Sequence, residues 1–117
     1  MYNIEKVNEE LNGHGVVIEG DVSHETYDKA ADMGYLYIDG QDVKVGYHTS
    51  VEVGGSENKA PKYVLDVDKD GKVLGVEVYN PRARGLIGED VETFGYSDLD
   101  DEFKETVDKL KVLWERK

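Results

Sequence analysis

The strongest constraint on the fold is the segment 62–79, where apolar residues recur at every second position on both sides of a short turn. The alternating residues are Tyr63, Leu65, Val67, Leu74, Val76 and Val78. A period of two in a stretch rich in valine and tyrosine is typical of β-strands. Lys69, Asp70 and Gly71 supply the turn, because glycine tolerates a positive φ. Pro81 ends the second strand, since proline has no N–H to donate to a ladder. The segment predicts an antiparallel hairpin.

Three further segments have strand character. Residues 34–38 and 43–53 predict two strands joined by a turn at 39–42, and residues 14–19 predict another around Val16, Val17 and Ile18. The first eleven residues fit either of two structures. Ile4, Val7 and Leu11 suit a short helix that ends at Asn12 and Gly13, whereas Tyr2 and Ile4 suit a strand.

The C-terminal segment changes to a helical period. Its apolar residues recur at spacings of three and four: Leu99, Phe103, Val107, Leu110, Leu113 and Trp114. Acidic residues at the start of this stretch and basic residues at its end complement a helix dipole. We expect an α+β fold, an antiparallel β-meander of four to five strands with a C-terminal amphipathic helix at about 98–115 packed on one face. The predicted core is Val17, Tyr35, Tyr37, Val45, Val51, Leu65, Val67, Leu74, Val76, Phe103, Val107, Leu110 and Trp114.

Charge restricts the function. The chain has 117 residues, which fits a single domain, and a formal net charge of −12. Residues 1–58 contain 12 acidic and 3 basic residues, residues 59–84 contain 4 and 6, and residues 85–117 contain 10 and 5. Such a surplus argues against binding nucleic acid directly, because neutralising phosphates requires lysine and arginine. It can serve solubility alone, or it can direct an acidic face to a basic surface.

Absent residue types exclude several kinds of chemistry. The sequence contains no cysteine, which excludes disulfides, thiolate zinc sites and a thiol nucleophile. No apolar run approaches the roughly 20 residues that a membrane span needs, so we expect a soluble, cytoplasmic chain. The three histidines, His14, His24 and His48, share no metal-ligand spacing. We expect neither a cofactor nor an enzyme.

One segment matches a calcium-binding loop position by position. Asp66, Asp68 and Asp70 stand at positions 1, 3 and 5, Gly71 at position 6 and Glu77 at position 12. The flanks alternate as strands, however, and six extended residues put Glu77 about 20 Å from the turn glycine. An acidic hairpin tip is therefore the favoured interpretation, with calcium binding as the alternative.

Two other charged pairs have simple structural interpretations. Asp28 and Asp32 would share a face only if residues 25–33 were helical, and solvated turn residues are the default for two acids in so acidic a chain. Arg82 and Arg84 form the one compact basic feature, and we expect an ion pair with a carboxylate of this chain, with an anion on a partner as the alternative.

Two motifs resemble a known family. Residues 27–38, which begin Tyr-Asp and continue to Asp32 and Tyr35, resemble the Tyr-Asp-x-x-x-Asp-x-x-Tyr-Ile opening of the domain of unknown function 2283, a small prokaryotic and phage family. Residues 63–78 resemble its closing hairpin, and residues 49–53 its intervening strand more loosely. The resemblance covers about residues 27–84, implies the fold and assigns no activity. Gly34 departs from the aliphatic residue usual there, and residues 1–26 and 97–117 lie outside the family-like part of this single domain.

These observations predict a small acidic, non-enzymatic protein that binds and regulates a protein partner with a basic surface. In a phage it would inhibit a nucleic-acid-binding host protein by charge mimicry. The predicted contact residues form the densest acidic run: Glu89, Asp90, Glu92, Asp98, Asp100, Asp101 and Glu102. Two alternatives stay open. One is a small-molecule or calcium-binding domain that uses the Asp66–Asp70 tip or a tyrosine-lined sheet face. The other is a structural or assembly protein that uses a free sheet edge, including to form a homo-oligomer.

Overall fold

A computed structural model describes residues 1–95 of the chain. Within these residues the elements are α1 (Ile4–Gly13), β1 (Val22–Asp28), β2 (Met33–Ile38), α2 (Val43–Gly46), β3 (Thr49–Val53), β4 (Tyr63–Val67) and β5 (Val73–Tyr79). Neither of these helices is long and apolar enough to cross a membrane.

The strands form one antiparallel sheet in the order β1-β2-β5-β4-β3. The predicted antiparallel sheet of four to five strands is therefore confirmed, and it has five strands in the described residues. The prediction of a continuous meander is wrong, because β2 pairs with β5 and not with β3. The sheet instead combines a β1–β2 hairpin with a β3–β4–β5 meander.

The predicted hairpin at 62–79 is confirmed as β4 and β5. Leu65 lies opposite Val76 and Tyr63 opposite Val78, so these four apolar residues share one face. The register shifts between Asp66 and Val67, where Val73 and not Leu74 lies opposite Val67. Gly71 in the turn has φ +81°, the left-handed conformation that glycine adopts without strain. The strand ends at Tyr79, directly before Asn80 and Pro81.

One face of the sheet carries the core. Its buried residues are Tyr27, Leu36, Ile38, Val53, Tyr63, Leu65, Val67, Val76 and Val78. Three segments outside the sheet pack against them: α1, residues 14–21 and residues 81–95. We call these three segments together the covering layer.

Among the described residues, the helix on the core face of the sheet is α1, at the opposite end of the chain from the predicted helix. It begins after Asn3, whose side-chain oxygen accepts a hydrogen bond from the Lys6 N–H (3.2 Å), as an N-cap does. Val7 and Leu11 are buried on its inner side. Of the two structures considered for residues 1–11, the helix is confirmed. The predicted C-terminal helix lies outside the described residues.

Two strand predictions need correction, and one strand was not predicted. Residues 14–19 are not a strand, since the chain turns after α1 and the Val16 N–H donates back to the Leu11 carbonyl. Residues 43–53 are not one strand, because Asp42 caps the short helix α2 by accepting from the Lys44 N–H (3.0 Å). The strand β1 is absent from the prediction, because its sequence contains few apolar residues.

The predicted core is only partly correct. Leu65, Val67, Leu74 and Val76 are buried. Val17, Val45 and Val51 are 71%, 83% and 45% exposed, so placing them in the core was wrong. Tyr35 and Tyr37 are half-buried on the other face of the sheet. Phe103, Val107, Leu110 and Trp114 lie outside the described residues.

We predict that Leu11→Ala destabilises the protein by about 2–5 kcal/mol, because Leu11 is 1% exposed and its removal leaves a cavity between α1 and the sheet. Val17→Ala is the control and should change the free energy of unfolding by less than about 0.5 kcal/mol. Urea denaturation measures both. Equal effects of the two substitutions would contradict the assignment of α1 as the covering helix.

Candidate functional site

Asp32 joins three parts of the chain. It sits in the turn after β1 with φ +50°, and its carboxylate accepts hydrogen bonds from the Tyr27 hydroxyl (3.0 Å), the Arg82 N–H (2.9 Å) and the Ala83 N–H (3.2 Å). Its main-chain carbonyl accepts from the Asn80 N–H (2.8 Å). Burial, reinforced by the Asp32 hydrogen bond, raises the pKa of Tyr27. Asp32 therefore ties the β1–β2 turn to the end of β5.

Asp28 has a separate structural role. It ends β1, and its carboxylate accepts from the Ala30 N–H (3.0 Å) and the Ala31 N–H (3.3 Å) within the turn. Asp28 and Asp32 thus belong to a strand end and a turn, not to one helix face. Both carboxylates accept hydrogen bonds from backbone N–H groups, as is typical of turn aspartates.

Arg84 forms the predicted ion pair with a carboxylate of its own chain. Its Nη1 lies 2.7 Å from Oε2 of Glu10 on α1, and both side chains are mostly buried. The guanidinium also donates to the carbonyls of Tyr79 (3.0 Å) and Lys62 (2.9 Å) and stacks 4.7 Å from the centre of the Tyr63 ring. Arg84 therefore joins α1 to the sheet and is not available to a partner.

The face of the sheet opposite the core carries a hydrogen-bonded network. The Tyr35 hydroxyl on β2 donates to Oδ2 of Asp66 on β4 (2.6 Å), and Ser50 on β3 donates to Oδ1 of the same carboxylate (2.8 Å). The Tyr47 hydroxyl lies 3.0 Å from Ser50 Oγ. Burial and the bond to Asp66 raise the pKa of Tyr35. This network links three strands on one surface, which we call the tyrosine face.

Gly75 makes the network possible. It lies on β5, between Tyr37 on β2 and Asp66 on β4, and a Cβ there would overlap the Tyr35 ring and hydroxyl. The tyrosine can cross β5 only because this position has no side chain. A glycine inside a strand often marks such a close approach. The network was not predicted from the sequence, and Gly75 is the residue that could have indicated it.

Two more residues of the tyrosine face have shifted ionisation. Burial raises the pKa of Glu77; the hydrogen bond from Tyr79 opposes that shift and the Asp66 carboxylate adds to it. Burial, then the Glu77 charge, raises the pKa of Tyr79. On the same face the His24 ring lies 5.6 Å from Tyr37, and its Nε2 atom is buried without a hydrogen-bond partner among the described residues. The face is therefore aromatic and acidic.

The geometry lends no support to the calcium alternative. Asp66 is bonded to Tyr35 and Ser50, and Asp68 Oδ1 accepts from the N–H groups of Asp70 and Lys72 (2.9 Å each) as a turn residue does. Glu77 lies opposite Val64, well along β5. Within residues 1–95 no group of three or more His, Asp or Glu side chains could hold a metal ion.

The predicted contact residues are only partly described. Glu89 and Asp90 are exposed in the covering layer. Glu92 is held by Lys29, with Nζ 2.9 Å from Oε1, in an exposed pair that contributes little to stability. Asp98, Asp100, Asp101 and Glu102 lie outside the described residues.

The covering layer is more densely acidic than the rest of the described structure: its 33 residues carry a net charge of −5, as much as the other 62 described residues together. It contains 8 acidic and 3 basic residues, and only Glu10 and Glu92 among the described carboxylates form ion pairs. Helix α1 and residues 81–95 meet at the Glu10–Arg84 ion pair (2.7 Å), and just before α1 the Asn3 N–H donates to the Leu86 carbonyl (2.8 Å). Two acidic segments that are far apart in sequence therefore form one layer over the core face.

These features define a small α+β protein: a five-stranded antiparallel sheet with an acidic layer on one face and tyrosines on the other. Residues 25–81 match the family described as "Protein of unknown function (DUF2283)", and this part of the chain belongs to that family. The matched segment contains β2 to β5 and most of β1. No curated protein and no solved structure matched the chain.

We predict that Gly75→Ala lowers the free energy of unfolding by about 1–3 kcal/mol, because the added methyl displaces Tyr35 from Asp66. In a Tyr35→Ala background the same substitution should be neutral or stabilising, since alanine restricts the unfolded chain more than glycine does. A double-mutant cycle by urea denaturation measures the coupling. Equal effects in both backgrounds would show that Tyr35 does not occupy the space above Gly75.

We also predict that stability falls as the pH rises from about 10 towards 12. Burial raises the pKa of Tyr63 from 10.0 to about 12, although Arg84 opposes the shift. The native state therefore keeps a proton that the unfolded chain loses above pH 10, so this contribution is complete below pH 10 and is lost on the way to pH 12. Urea denaturation at several pH values measures the slope, which should be smaller for Tyr63→Phe; an unchanged slope would contradict the assignment.

Proposed function

We propose that this chain is an acidic, non-enzymatic, cytoplasmic binding protein that regulates a protein partner with a basic surface. The observation that carries the proposal is the covering layer, whose exposed carboxylates include Glu5, Glu9, Glu89 and Asp90. None of these four forms an ion pair with a described residue. Carboxylates that the fold leaves uncompensated create a negative field, and such a field attracts a basic surface and speeds encounter with it.

The division of acidic residues supports an external role for the layer. The aspartates of the family segment, such as Asp28, Asp32 and Asp66, accept hydrogen bonds that hold turns and strands together. Removing those carboxylates would damage the fold. The layer's exposed carboxylates lie outside that framework, so they can contact a partner without loss of structure.

The proposed contact surface extends the predicted acidic run. It includes Glu89, Asp90 and Glu92 in the layer, together with Asp98, Asp100, Asp101 and Glu102 further along the sequence. In a phage, such a surface would compete with nucleic acid for a host protein, because rows of carboxylates present the same charge as rows of phosphates. The charge balance of the chain supports this form of regulation over direct binding to nucleic acid.

The experiment compares two charge-reversed variants with the same net charge. Glu89→Lys combined with Asp90→Lys alters the layer, whereas Glu57→Lys combined with Asp70→Lys alters exposed acids in the β3–β4 and β4–β5 connections. Wild-type protein immobilised on resin should capture a basic protein from a prokaryotic lysate. We expect the layer variant to bind that protein at least about tenfold more weakly, and the control variant to bind nearly as wild type does.

Salt provides a second criterion for the same capture. Exposed charges are screened within about 3 Å in 1 M salt, so the captured protein should elute there. A complex that survives about 1 M salt, or one weakened equally by both variants, would show that the layer's charge does not direct the interaction.

A further inference from the structure

The two edges of the sheet differ. At the β1 edge, Tyr27 and Phe94 exchange two backbone hydrogen bonds of 3.0 Å, and the Lys29 N–H donates to Thr93 Oγ1 (3.0 Å). The covering layer therefore occupies part of that edge. At the other edge β3 pairs with β4 alone, and no second segment of residues 1–95 pairs with it. The free edge of the described sheet is β3.

The sequence of β3 protects this edge only weakly. Proteins block free edges with short strands, charged side chains (above all lysine), proline or inward-pointing charge. Thr49–Val53 contains neither lysine nor proline, and Glu52 is its one charged residue. The first four of its five residues are exposed. Of the five large apolar side chains that are exposed among the described residues, three lie in or just before this strand: Val45, Tyr47 and Val51.

We propose that β3 pairs antiparallel with β3 of a second copy of this chain, with the twofold axis at Val51. All five residues of the strand are then paired. Val51 lies opposite Val51 of the second copy, and Thr49 lies opposite Val53. The two five-stranded sheets join into one continuous sheet whose core faces lie on the same side.

Charge within the strand favours this register over the one with its axis at Glu52. With the axis at Val51, Glu52 lies opposite Ser50 of the second copy. With the axis one residue further along, Glu52 would lie opposite itself, and like charges directly opposite each other destabilise a sheet. If the axis lay between two residues, the core face of one copy would be on the same side of the joined sheet as the tyrosine face of the other. The sequence is therefore self-complementary about Val51.

The dependence on salt separates this interaction from the proposed function. Two copies that each carry −12 repel one another, so self-association should strengthen as the screening length falls from about 30 Å in 0.01 M salt to about 3 Å in 1 M salt. Binding to a basic partner should weaken over the same range. One interaction can thus fail its test while the other passes.

Sedimentation equilibrium of the full chain at low and high salt tests the proposal. We expect a dimer that is favoured by salt. Val51→Lys should weaken it at least about tenfold, because two ammonium groups would meet at the axis. Val17→Lys is the matched control, since Val17 is also exposed and takes the same added charge. A wild-type monomer in high salt, or equal effects of the two substitutions, would overturn the proposal.

A cross-linking experiment tests the register itself. The chain has no cysteine, so Val51→Cys introduces a single thiol. Opposed residues of antiparallel strands have Cα atoms about 4.5–5.5 Å apart, within the range of a disulfide. We expect rapid oxidation of Val51→Cys to a covalent dimer, and slow oxidation of Val17→Cys. Equal rates would overturn the proposal. The proposal would also be overturned if the chain stayed monomeric and instead captured a different protein in a way that depends on Val51. The β3 edge would then pair with a strand of that other protein.

Discussion

The carboxylate of Asp32 is the constraint on which the rest of the described structure depends. In a turn between two strands it collects donors from the side chain of Tyr27 and from the main chain at Arg82 and Ala83. Tyr27 lies on the edge strand β1, and Arg82 and Ala83 follow the central strand β5. Because β5 lies between β2 and β4, fixing its end also fixes where residues 81–95 cross onto the core face. The Tyr-Asp-x-x-x-Asp motif thus has a structural role in this chain, because its aspartates accept the hydrogen bonds that hold the turn and the end of β5.

The sequence predicted the parts of the fold in which local pattern and tertiary environment agree. The hairpin at 62–79 is central, its alternation is uninterrupted, and its turn contains glycine, so periodicity was sufficient. Strand β1 could not be found in this way, because it is an edge strand whose Ser23, His24 and Glu25 do not alternate with apolar residues. Val17 and Val45 were wrongly placed in the core because they are apolar residues of connecting segments. Apolar residues in a connecting segment resemble a strand, and only tertiary packing decides that they face solvent.

The candidate site was predictable in composition but not in arrangement. Charge counts showed that both flanks are acidic, and the structure shows that parts of both flanks lie in one layer. Contacts such as Arg84 with Glu10 join residues 74 positions apart, a separation that sequence spacing cannot reveal. The same counts could not separate carboxylates that hold turns from those left free. Whether a carboxylate holds a turn depends on the backbone N–H groups near it. Only after the turn-holding carboxylates are set aside can the others be assigned to a candidate contact surface.

The N-terminal residues complete the core of the family segment. Gly34 has no side chain, and a Cβ there would overlap the Tyr2 hydroxyl and the Thr26 carbonyl. The Tyr2 hydroxyl donates to that carbonyl (2.8 Å), and the Tyr2 N–H donates to Glu25 (2.9 Å). The aromatic side chain of Tyr2, from outside the segment that matches the family, therefore fills the space beside Gly34. Val7 and Leu11 are also buried, so residues before the matched segment belong to the same hydrophobic core as the sheet. The acidic layer is therefore attached to the sheet through shared core residues.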